Sequence, residues 1–324
     1  MTRRHMLAGS IALALRQRNL DETVRLLEAQ TSTKQVSAAA LLVRQGASSF
    51  ERHFGKASNI NAVFLMASLT KPMTASAVML LVDRKELRLS DPVQRFIPEF
   101  RGDGKDRVLI KHLLTHTSGL PDMLPDNVAL RRRHAPLADF VAGTCATPLL
   151  YAPGSQWRYQ SMGILLASEI VRRVTRRPFP DFLAEHVFRP LQMNETSLGL
   201  GGRSISQTMQ CQVPEVTDYD WNSSYWRNLA SPWGGAHSTA SDIAKLLTYF
   251  AHPDSRVLKA ETAVAMVSNQ TVGLKRPWGL GWMLNNGSLG TGCSTDTFGH
   301  SGSTGTMDVD VEVRIGPDNT RKSP

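Results

Sequence analysis

Apolar residues near the start of the chain recur at intervals that suit an α-helix. They are Ile11, Leu15, Leu20, Val24 and Leu27. Residues at this spacing lie on one side of a helix, so the pattern predicts an amphipathic helix that ends near residue 28. Two apolar strands follow, at 36–44 and 48–54, with Gln45 and Gly46 between them. Glycine in such a short connection is typical of a β-hairpin.

The last part of the chain has the alternation of a β-strand. Apolar and charged residues alternate from Met307 to Ile315, which predicts a strand with one buried and one solvated face. An apolar stretch at 278–284 predicts another strand before it. Between the two groups of strands, apolar periodicity and capping residues predict helices. These helices are expected at 68–83, 110–114, 137–144, 163–174, 179–187, 240–250 and 261–267.

This order of elements predicts an α+β fold. We expect an antiparallel sheet, flanked by helices, with strands from both ends of the chain, and a helical lobe made from the middle. A chain of 324 residues is long enough for one large domain. Within this single domain, we expect an α/β lobe formed by residues 1–67 and 240–324 and a helical lobe formed by residues 68–239.

Composition narrows the classes of function. Apolar residues make up 41% of the chain and charged residues 20%, which is typical of a folded globular protein. The formal net charge is +9, but the basic residues are scattered, and those at 172–177 alternate with apolar ones like the solvated face of a helix. No zinc-finger, RNP or basic-zipper pattern accompanies them. We therefore expect no nucleic-acid partner.

Cysteine and histidine spacing indicates neither a disulfide framework nor a metal site. The cysteines Cys145, Cys211 and Cys293 lie far apart and are odd in number. His112 and His116 are four residues apart, but the glutamate of a zinc-binding H-E-x-x-H helix is missing. We therefore expect no metal and no organic cofactor.

The sequence has no apolar run of the length that crosses a membrane, so no stable membrane insertion is expected. Arg3 and Arg4 begin a stretch that faintly resembles a twin-arginine export signal, but the apolar region after it is short. The amphipathic helix is the better interpretation of this segment and favours a cytoplasmic location. The periplasm is the alternative location if the stretch is used for export.

A serine and a lysine stand three residues apart where a helix is expected to begin. Residues i and i+3 share one face of a helix, so Lys71 can reach the hydroxyl of Ser68. A serine needs a nearby base to become a nucleophile, and an amine in a dry pocket loses its proton more easily. The helix start also offers free backbone N–H groups to a developing oxyanion. The motif is short, and a solvated lysine on a surface helix is the other interpretation.

Two later segments hold further candidate residues. Tyr159 lies on a loop and can share or relay a proton, since a phenol beside an ammonium ionises more readily. The alternative is a loop tyrosine packed on Trp157. Residues 298–305 are rich in glycine, which lets a strand approach a ligand closely. This strand edge would supply a second oxyanion N–H from Ser303, unless the segment is a hairpin without a ligand.

Three motifs occur in a fixed order along the chain. They are Ser68-x-x-Lys71, Tyr159-x-Ser161 and His300-Ser301-Gly302. In this order they resemble the serine β-lactamase-related family, as do the stretches 113–120, 152–154, 234–240 and 279–282. That family includes class C β-lactamases, D-alanyl-D-alanine carboxypeptidases, D-aminopeptidases and family VIII carboxylesterases. The resemblance covers residues 36–305 and implies a β-lactamase/transpeptidase-like fold.

The resemblance also implies a serine hydrolase that forms an acyl-enzyme at Ser68. Lys71 and Tyr159 would share the role of base, and which of them is the principal base stays open. The substrate would be a small ester, amide or peptide. The oxyanion and the substrate would be bound by Ser161, His300, Gly302 and Ser303, together with the N–H of Ser68.

Two of these residues depart from the family's usual pattern. Ser161, expected to bond Lys71 or the substrate, stands where asparagine is common, and His300, expected on the acyl side, stands where β-lactamases have lysine. A neutral histidine attracts a substrate carboxylate less than an ammonium does. The departures favour an esterase or a peptidase-like hydrolase over an efficient β-lactamase. The alternatives are a non-catalytic penicillin-binding or sensor protein on the same fold, and a true β-lactamase.

The end of the chain departs from the family as well. Family members usually continue into another strand and a long C-terminal helix that covers the sheet, whereas this sequence ends at Pro324. The C-terminal helix is therefore expected to be missing.

Overall fold

The computed structural model describes residues 20–285, 294, 296–304 and 308–313. Some of the predictions concern residues outside these ranges. They are the twin-arginine-like stretch, the first part of the N-terminal helix, Cys293, both ends of the last predicted strand and the expectation about a C-terminal helix. The chain divides into two compact units, Met1–Ala62 and Val63–Pro324.

In the first unit a helix precedes a β-hairpin. The helix α1 occupies residues 20–32, in agreement with the periodicity of this part of the chain. Strand β1 (Ala38–Gln45) pairs antiparallel with β2 (Ser48–Gly55). In the connection between them Gly46 has a φ of 58°, a conformation that glycine adopts without a steric penalty. The predicted hairpin is confirmed.

The second unit contains most of the helices. They are α2 (Thr70–Asp83), α3 (Ile110–Leu114), α4 (Asn127–Arg132), α5 (Leu137–Ala146), α6 (Met162–Thr175), α7 (Phe179–Leu183), α8 (Ser224–Asn228), α9 (Ala240–Ala251) and α10 (Ala260–Met266). The helices predicted for the middle of the chain are thus present. The helix predicted at 179–187 is only partly α-helical. Helix α7 ends at Leu183, and a π-helical turn, Ala184–Phe188, continues it.

The described strands of the second unit form two antiparallel sheets. The first contains β3 (Phe64–Leu65), β4 (Ser197–Leu198) and β5 (Ala236–Ser238), with β5 in the middle. The second contains β6 (Met283–Leu284), β7 (Phe298–Ser303) and β8 (Asp308–Val313), with β7 in the middle. The strand predicted at 278–284 is therefore shorter than expected, with a single bridge joining Trp278 to Met283.

These elements confirm the α+β class and the antiparallel pairing of its strands. The described strands are distributed over three small sheets, one of which is the hairpin, rather than over the single sheet expected from the sequence. The division into an α/β lobe and a helical lobe stays a prediction.

Helix α2 lies within the hydrophobic core of the second unit. All residues from Thr70 to Leu81 are buried, and the helix packs against α6 and α7. A helix that is apolar around its whole circumference is expected to be enclosed by protein. The hydroxyls of Thr70, Thr74 and Ser76 each donate to a backbone carbonyl, so their burial leaves no polar group unsatisfied. The start of this helix is therefore held rigidly.

The basic cluster at the end of α6 is paired with carboxylates. Arg172 contacts Glu169 at 2.7 Å, Arg173 contacts Glu169 and Glu99, and Arg177 contacts Glu185 at 2.6 Å. These pairs neutralise much of the local positive charge.

The described residues contain neither a helix suited to a bilayer nor a cluster of side chains suited to a metal ion. None of the helices in this part of the chain combines the length and the apolar character needed to cross a bilayer. The described residues also include no group of three or more His, Cys, Asp or Glu side chains arranged to hold a metal ion.

Candidate active site

Ser68 lies in the turn that leads into α2. A 3₁₀ turn, Ala67–Leu69, comes directly before the helix, and Ser68 is partly exposed although Ala67 and Leu69 are buried. Ala67 has a φ of 45°, in the left-handed region that residues other than glycine rarely adopt. Such strain persists only where the surroundings impose it, and it is common at functional sites. Here it directs a serine hydroxyl outward from an otherwise buried turn.

Lys71 is fully buried and contacts that hydroxyl. Its Nζ lies 2.9 Å from Ser68 Oγ and 3.0 Å from the carbonyl oxygen of Trp233. Burial lowers the pKa of Lys71 to about 7, and the negative charge of Asp122 opposes this decrease. Removing an ammonium from water disfavours its charged form, and no carboxylate pairs with it directly among the described contacts. The predicted approach of Lys71 to Ser68 is present.

The segment before β5 fixes the start of α2 from the other side. Thr70 Oγ1 donates to the carbonyl of Ala67 at 2.7 Å and accepts from the N–H of Ala236 at 3.0 Å. Thr74 Oγ1 donates to the carbonyl of Pro232 at 2.6 Å. These buried bonds leave the Ser68 hydroxyl and the Lys71 amine little freedom to separate.

Tyr159 completes the group. Lys71 Nζ lies 4.8 Å from the centre of the Tyr159 ring, and the Ser68 side chain is close enough to the phenol to affect its pKa. Burial raises the pKa of Tyr159 well above its ordinary value, the interaction with Ser68 opposes the increase, and the charge of Asp122 adds to it. The expectation that Tyr159 ionises more readily is therefore wrong in direction, because loss of solvation outweighs the neighbouring amine.

Ser161 has a different partner from the one expected. Its hydroxyl donates to Asp122 Oδ1 at 2.6 Å, and its N–H donates to the Asp122 carbonyl at 3.2 Å. The sequence predicts a bond from Ser161 to Lys71 or to the substrate. The described hydrogen bonds do not include one to Lys71, and a bond to the substrate stays a prediction. The short serine side chain bonds a carboxylate beside the site.

Strand β7 brings the third motif to the serine. A Cβ atom added to Gly302 would overlap the carbonyl oxygen of Met66 and lie 3.1 Å from the backbone nitrogen of Ser68. Only glycine permits this approach, which agrees with the expected close contact of a strand. Ser303, the expected second oxyanion donor, is exposed at the end of the strand. Its role in binding the oxyanion stays a prediction.

His300, on the same strand, is 3% exposed and uncharged. Its Nδ1 donates to the Ser301 carbonyl at 2.6 Å, and its ring centre lies 6.3 Å from that of Tyr159. Burial and the charge of Lys71 lower the pKa of His300 to about 3, so the imidazole is neutral throughout the ordinary pH range. Its Nε2 has no hydrogen-bond partner among the described residues.

Two residues near the site were not recognised as functional in the sequence. His116 is fully buried against Tyr159, with ring centres 4.6 Å apart, and Asp122 lies at the edge of the site. Both occur in or directly after the stretch 113–120, which the sequence offers only as a supporting resemblance. The sole signal for Asp122 is its position just beyond that stretch.

Comparisons with known proteins bear on the family and the fold of the chain. The Beta-lactamase family model matches residues 20–316. Esterase EstB of Burkholderia gladioli is 35% identical over 182 residues, which represent 49% of this chain and 46% of the esterase. The chain spans less than half the length of the curated relatives it matches first.

Solved structures share the fold. The octameric penicillin-binding protein homologue from Pyrococcus abyssi has a TM-score of 0.77 at 19% identity, covering 93% of this chain and 71% of that chain. A D-stereospecific amidohydrolase from Streptomyces sp. has a TM-score of 0.70 at 21% identity, covering 89% and 88%. At these identities the likeness concerns the fold, and the predicted α+β architecture agrees with it.

Proposed function

The chain belongs to the beta-lactamase family, and from this membership we propose that it is a serine hydrolase acting on ester or amide bonds through an acyl-enzyme at Ser68. The observation that carries the proposal is the 2.9 Å distance between Lys71 Nζ and Ser68 Oγ, together with the pKa of about 7 that burial gives the amine. Near neutral pH a large share of this amine is uncharged and able to accept the serine proton.

In the first half of the reaction Ser68 Oγ attacks the substrate carbonyl while its proton moves to Lys71 Nζ. The N–H groups of Ser68 and Ser303 bind the oxyanion of the tetrahedral intermediate. When the bond to the leaving group breaks, the leaving group takes the proton from Lys71, and the acyl group stays on Ser68. In the second half, water attacks the acyl-enzyme, gives its proton to Lys71, and Ser68 recovers that proton as the acid leaves.

Tyr159 assists without acting as the principal base. Because its pKa is raised, the phenol keeps its proton at neutral pH and can donate a hydrogen bond to Ser68. The ammonium that Lys71 becomes lies near the Tyr159 ring, at 4.8 Å from its centre. A cation is attracted to the face of an aromatic ring, which favours the state after proton transfer. Lys71 is thus assigned as the base.

The substrate class is a small ester or amide. The names of two proteins described above support this choice, since the esterase acts on ester bonds and the amidohydrolase on amide bonds. The neutrality of His300 disfavours substrates that depend on a carboxylate, as penicillins and cephalosporins do. A cytoplasmic location and the lack of a nucleic-acid partner stay predictions, as does the alternative of the periplasm.

The decisive experiment compares Ser68→Ala with Ser76→Ala on a chromogenic short-chain ester. Ser76 lies further along α2, where its hydroxyl donates to the Pro72 carbonyl, so it matches the chemical change without touching the site. We expect Ser68→Ala to lower kcat/KM by more than about 10³-fold, because the variant lacks the hydroxyl on which the proposed acyl-enzyme forms. The Ser76 variant should retain activity once it is folded.

Intact mass measurement separates the remaining alternatives. Fast ester turnover without a lasting adduct indicates an esterase, whereas a persistent adduct of one acyl group with a cephalosporin and no turnover indicates a binding or sensor protein. Rapid cephalosporin hydrolysis would indicate a true β-lactamase. Ester hydrolysis at the wild-type rate by Ser68→Ala would refute the assignment of the nucleophile.

A further inference from the structure

The backbone on both sides of Tyr159 is bonded to one residue, His116. The N–H of Arg158 donates to the His116 carbonyl at 3.0 Å, and the N–H of Gln160 donates to His116 Nδ1 at 3.3 Å. These are the residues directly before and after Tyr159. Buried hydrogen bonds that act together restrict the groups they join. The stretch of backbone from which the phenol projects is therefore fixed by His116.

The imidazole of His116 also packs on the phenol ring. The two ring centres lie 4.6 Å apart, with an angle of 44° between the planes. Trp278 lies close to both rings, with its centre 4.9 Å from that of His116 and 6.2 Å from that of Tyr159. His116 and Trp278 are buried, and side chains in a close-packed interior cannot move without displacing their neighbours. These contacts restrict rotation of the phenol ring beside Lys71.

The backbone of His116 has an unusual conformation that makes this arrangement possible. Its φ is 59°, in the left-handed region, which histidine adopts more readily than most residues other than glycine. The flanking bonds are short, since the N–H of Thr117 donates to the His112 carbonyl at 3.0 Å and Ser118 Oγ donates to Gln160 Oε1 at 2.6 Å. Strain of this kind persists where the surroundings impose it, and it is common at functional sites.

His116 is poorly suited to move a proton itself. Burial and the charges of Lys71 and His300 hold the pKa of its imidazole well below the ordinary value, so the ring is neutral. Because Nδ1 accepts from Gln160, the ring proton is on Nε2, which is buried and has no partner among the described residues. An apolar ring would fill this space without burying an unpaired N–H, so packing alone does not explain the imidazole.

Building on the proposed function, we propose that His116 is a positioning residue for acylation, which keeps the phenol of Tyr159 in the orientation required at Ser68. In the proposed mechanism the serine proton moves to Lys71 beside this phenol, and a small displacement of a reacting or assisting group is costly. His116 forms no bond with the substrate and takes no proton. Its effect on the rate is carried by the Tyr159 hydroxyl and disappears when that hydroxyl is removed.

The test is a double-mutant cycle between His116 and the Tyr159 hydroxyl. His116→Asn keeps an acceptor for the Gln160 N–H and suits a left-handed backbone but removes the ring, whereas His116→Phe keeps a ring and removes the acceptor. Each is combined with Tyr159→Phe, which keeps an aromatic ring against residue 116. The control is His112→Asn, because the half-buried His112 also accepts a backbone N–H at Nδ1, from Leu109 at 3.2 Å.

With a chromogenic short-chain ester we expect each His116 variant to lower kcat about tenfold and to leave KM within about twofold, since the residue does not bind the substrate. In the Tyr159→Phe background the same substitutions should change kcat by less than about twofold. His112→Asn should leave kcat within about twofold in both backgrounds. Chromophore release is followed for hours, so that the slow variants are measured as well.

Three results would overturn the inference. They are an equal loss of kcat in the two backgrounds, unchanged kcat in both His116 variants, and wild-type kcat in Tyr159→Phe. None of them affects the nucleophile, and the proposed function is overturned separately, by wild-type activity of Ser68→Ala. Urea unfolding of each variant identifies those that are folded in the assay. If one His116 variant does not fold, the other completes the cycle.

Discussion

In the proposed mechanism Lys71 accepts the serine proton, which it can do only at a pH where its amine is uncharged. Burial lowers its pKa to about 7, and the charge of Asp122 keeps it from falling further. Tyr159 changes in the opposite direction, because burial raises the pKa of its phenol. The two groups therefore lose their protons in well-separated pH ranges, and the pH dependence of the rate can identify the base.

We expect kcat/KM for an uncharged ester to increase with pH up to about 7 and then to level off. The increase should correspond to the loss of a single proton, about tenfold in kcat/KM per pH unit. Below this pH the ammonium of Lys71 cannot accept the serine proton, and above it the free amine can. Asp122→Asn should move this limb to lower pH, since a carboxylate that stabilises the ammonium is removed, whereas Asp126→Asn, at an exposed residue four positions along the chain, should not move it.

Initial rates from about pH 5 to about pH 11, with unfolding monitored at each value, provide the measurement. A limb that appears only at or above the ordinary tyrosine pKa of about 10 would assign the base to Tyr159 instead.

Strand β7 closely approaches the Ser68 turn, and in the proposed mechanism this contact aligns the oxyanion donors with the nucleophile. Gly302 makes this contact possible, because any side chain there would meet the Met66 carbonyl and the Ser68 nitrogen. Gly234 faces the same turn with more space, since a Cβ atom there would lie 3.7 Å from the Ala67 carbonyl carbon. The two glycines thus form a matched pair for testing how close the strand must be.

We expect Gly302→Ala to lower kcat by about ten- to a hundredfold, because displacing the strand misaligns the oxyanion donors with the developing charge. Gly234→Ala should leave kcat within about twofold, since its methyl group makes an ordinary van der Waals contact. Single-turnover kinetics with a chromogenic ester measures the acylation step directly. An unchanged acylation rate in Gly302→Ala would show that the close approach of β7 is not needed.

Local patterns predict the parts of this site that depend on neighbours in sequence. The spacing of Ser68 and Lys71 predicts their contact, because three residues along a helix bring side chains together. The bond from Ser161 to Asp122 joins residues 39 apart, and the bond from Lys71 to the Trp233 carbonyl joins residues 162 apart. No periodicity encodes such pairs. Nor does a local pattern predict the increased pKa of Tyr159, because burial depends on distant segments.

Distant stretches of the second unit meet at one buried guanidinium. Arg227, on α8, has no exposed surface, and donates to the carbonyls of Trp221 at 2.6 Å and Met209 at 3.2 Å. It also contacts Asn222 Oδ1 and His237 Nε2, each at 3.0 Å, and the latter residue belongs to β5. Within the described residues no carboxylate forms an ion pair with it. Neutral acceptors therefore make the direct contacts that compensate for the burial of this charge, and the more distant charge of Asp220 also favours it.

We expect Arg227→Met to lower the free energy of unfolding by about 3 kcal/mol, because the methionine fills the space but leaves several buried carbonyl and amide oxygens without donors. Arg256→Met is the control, since Arg256 pairs with Asp254 at the surface and should contribute less than about 1 kcal/mol. Urea unfolding at neutral pH measures both variants. Equal stability of the two would mean that the acceptors around Arg227 find other donors, so that these segments would be held together by apolar packing instead.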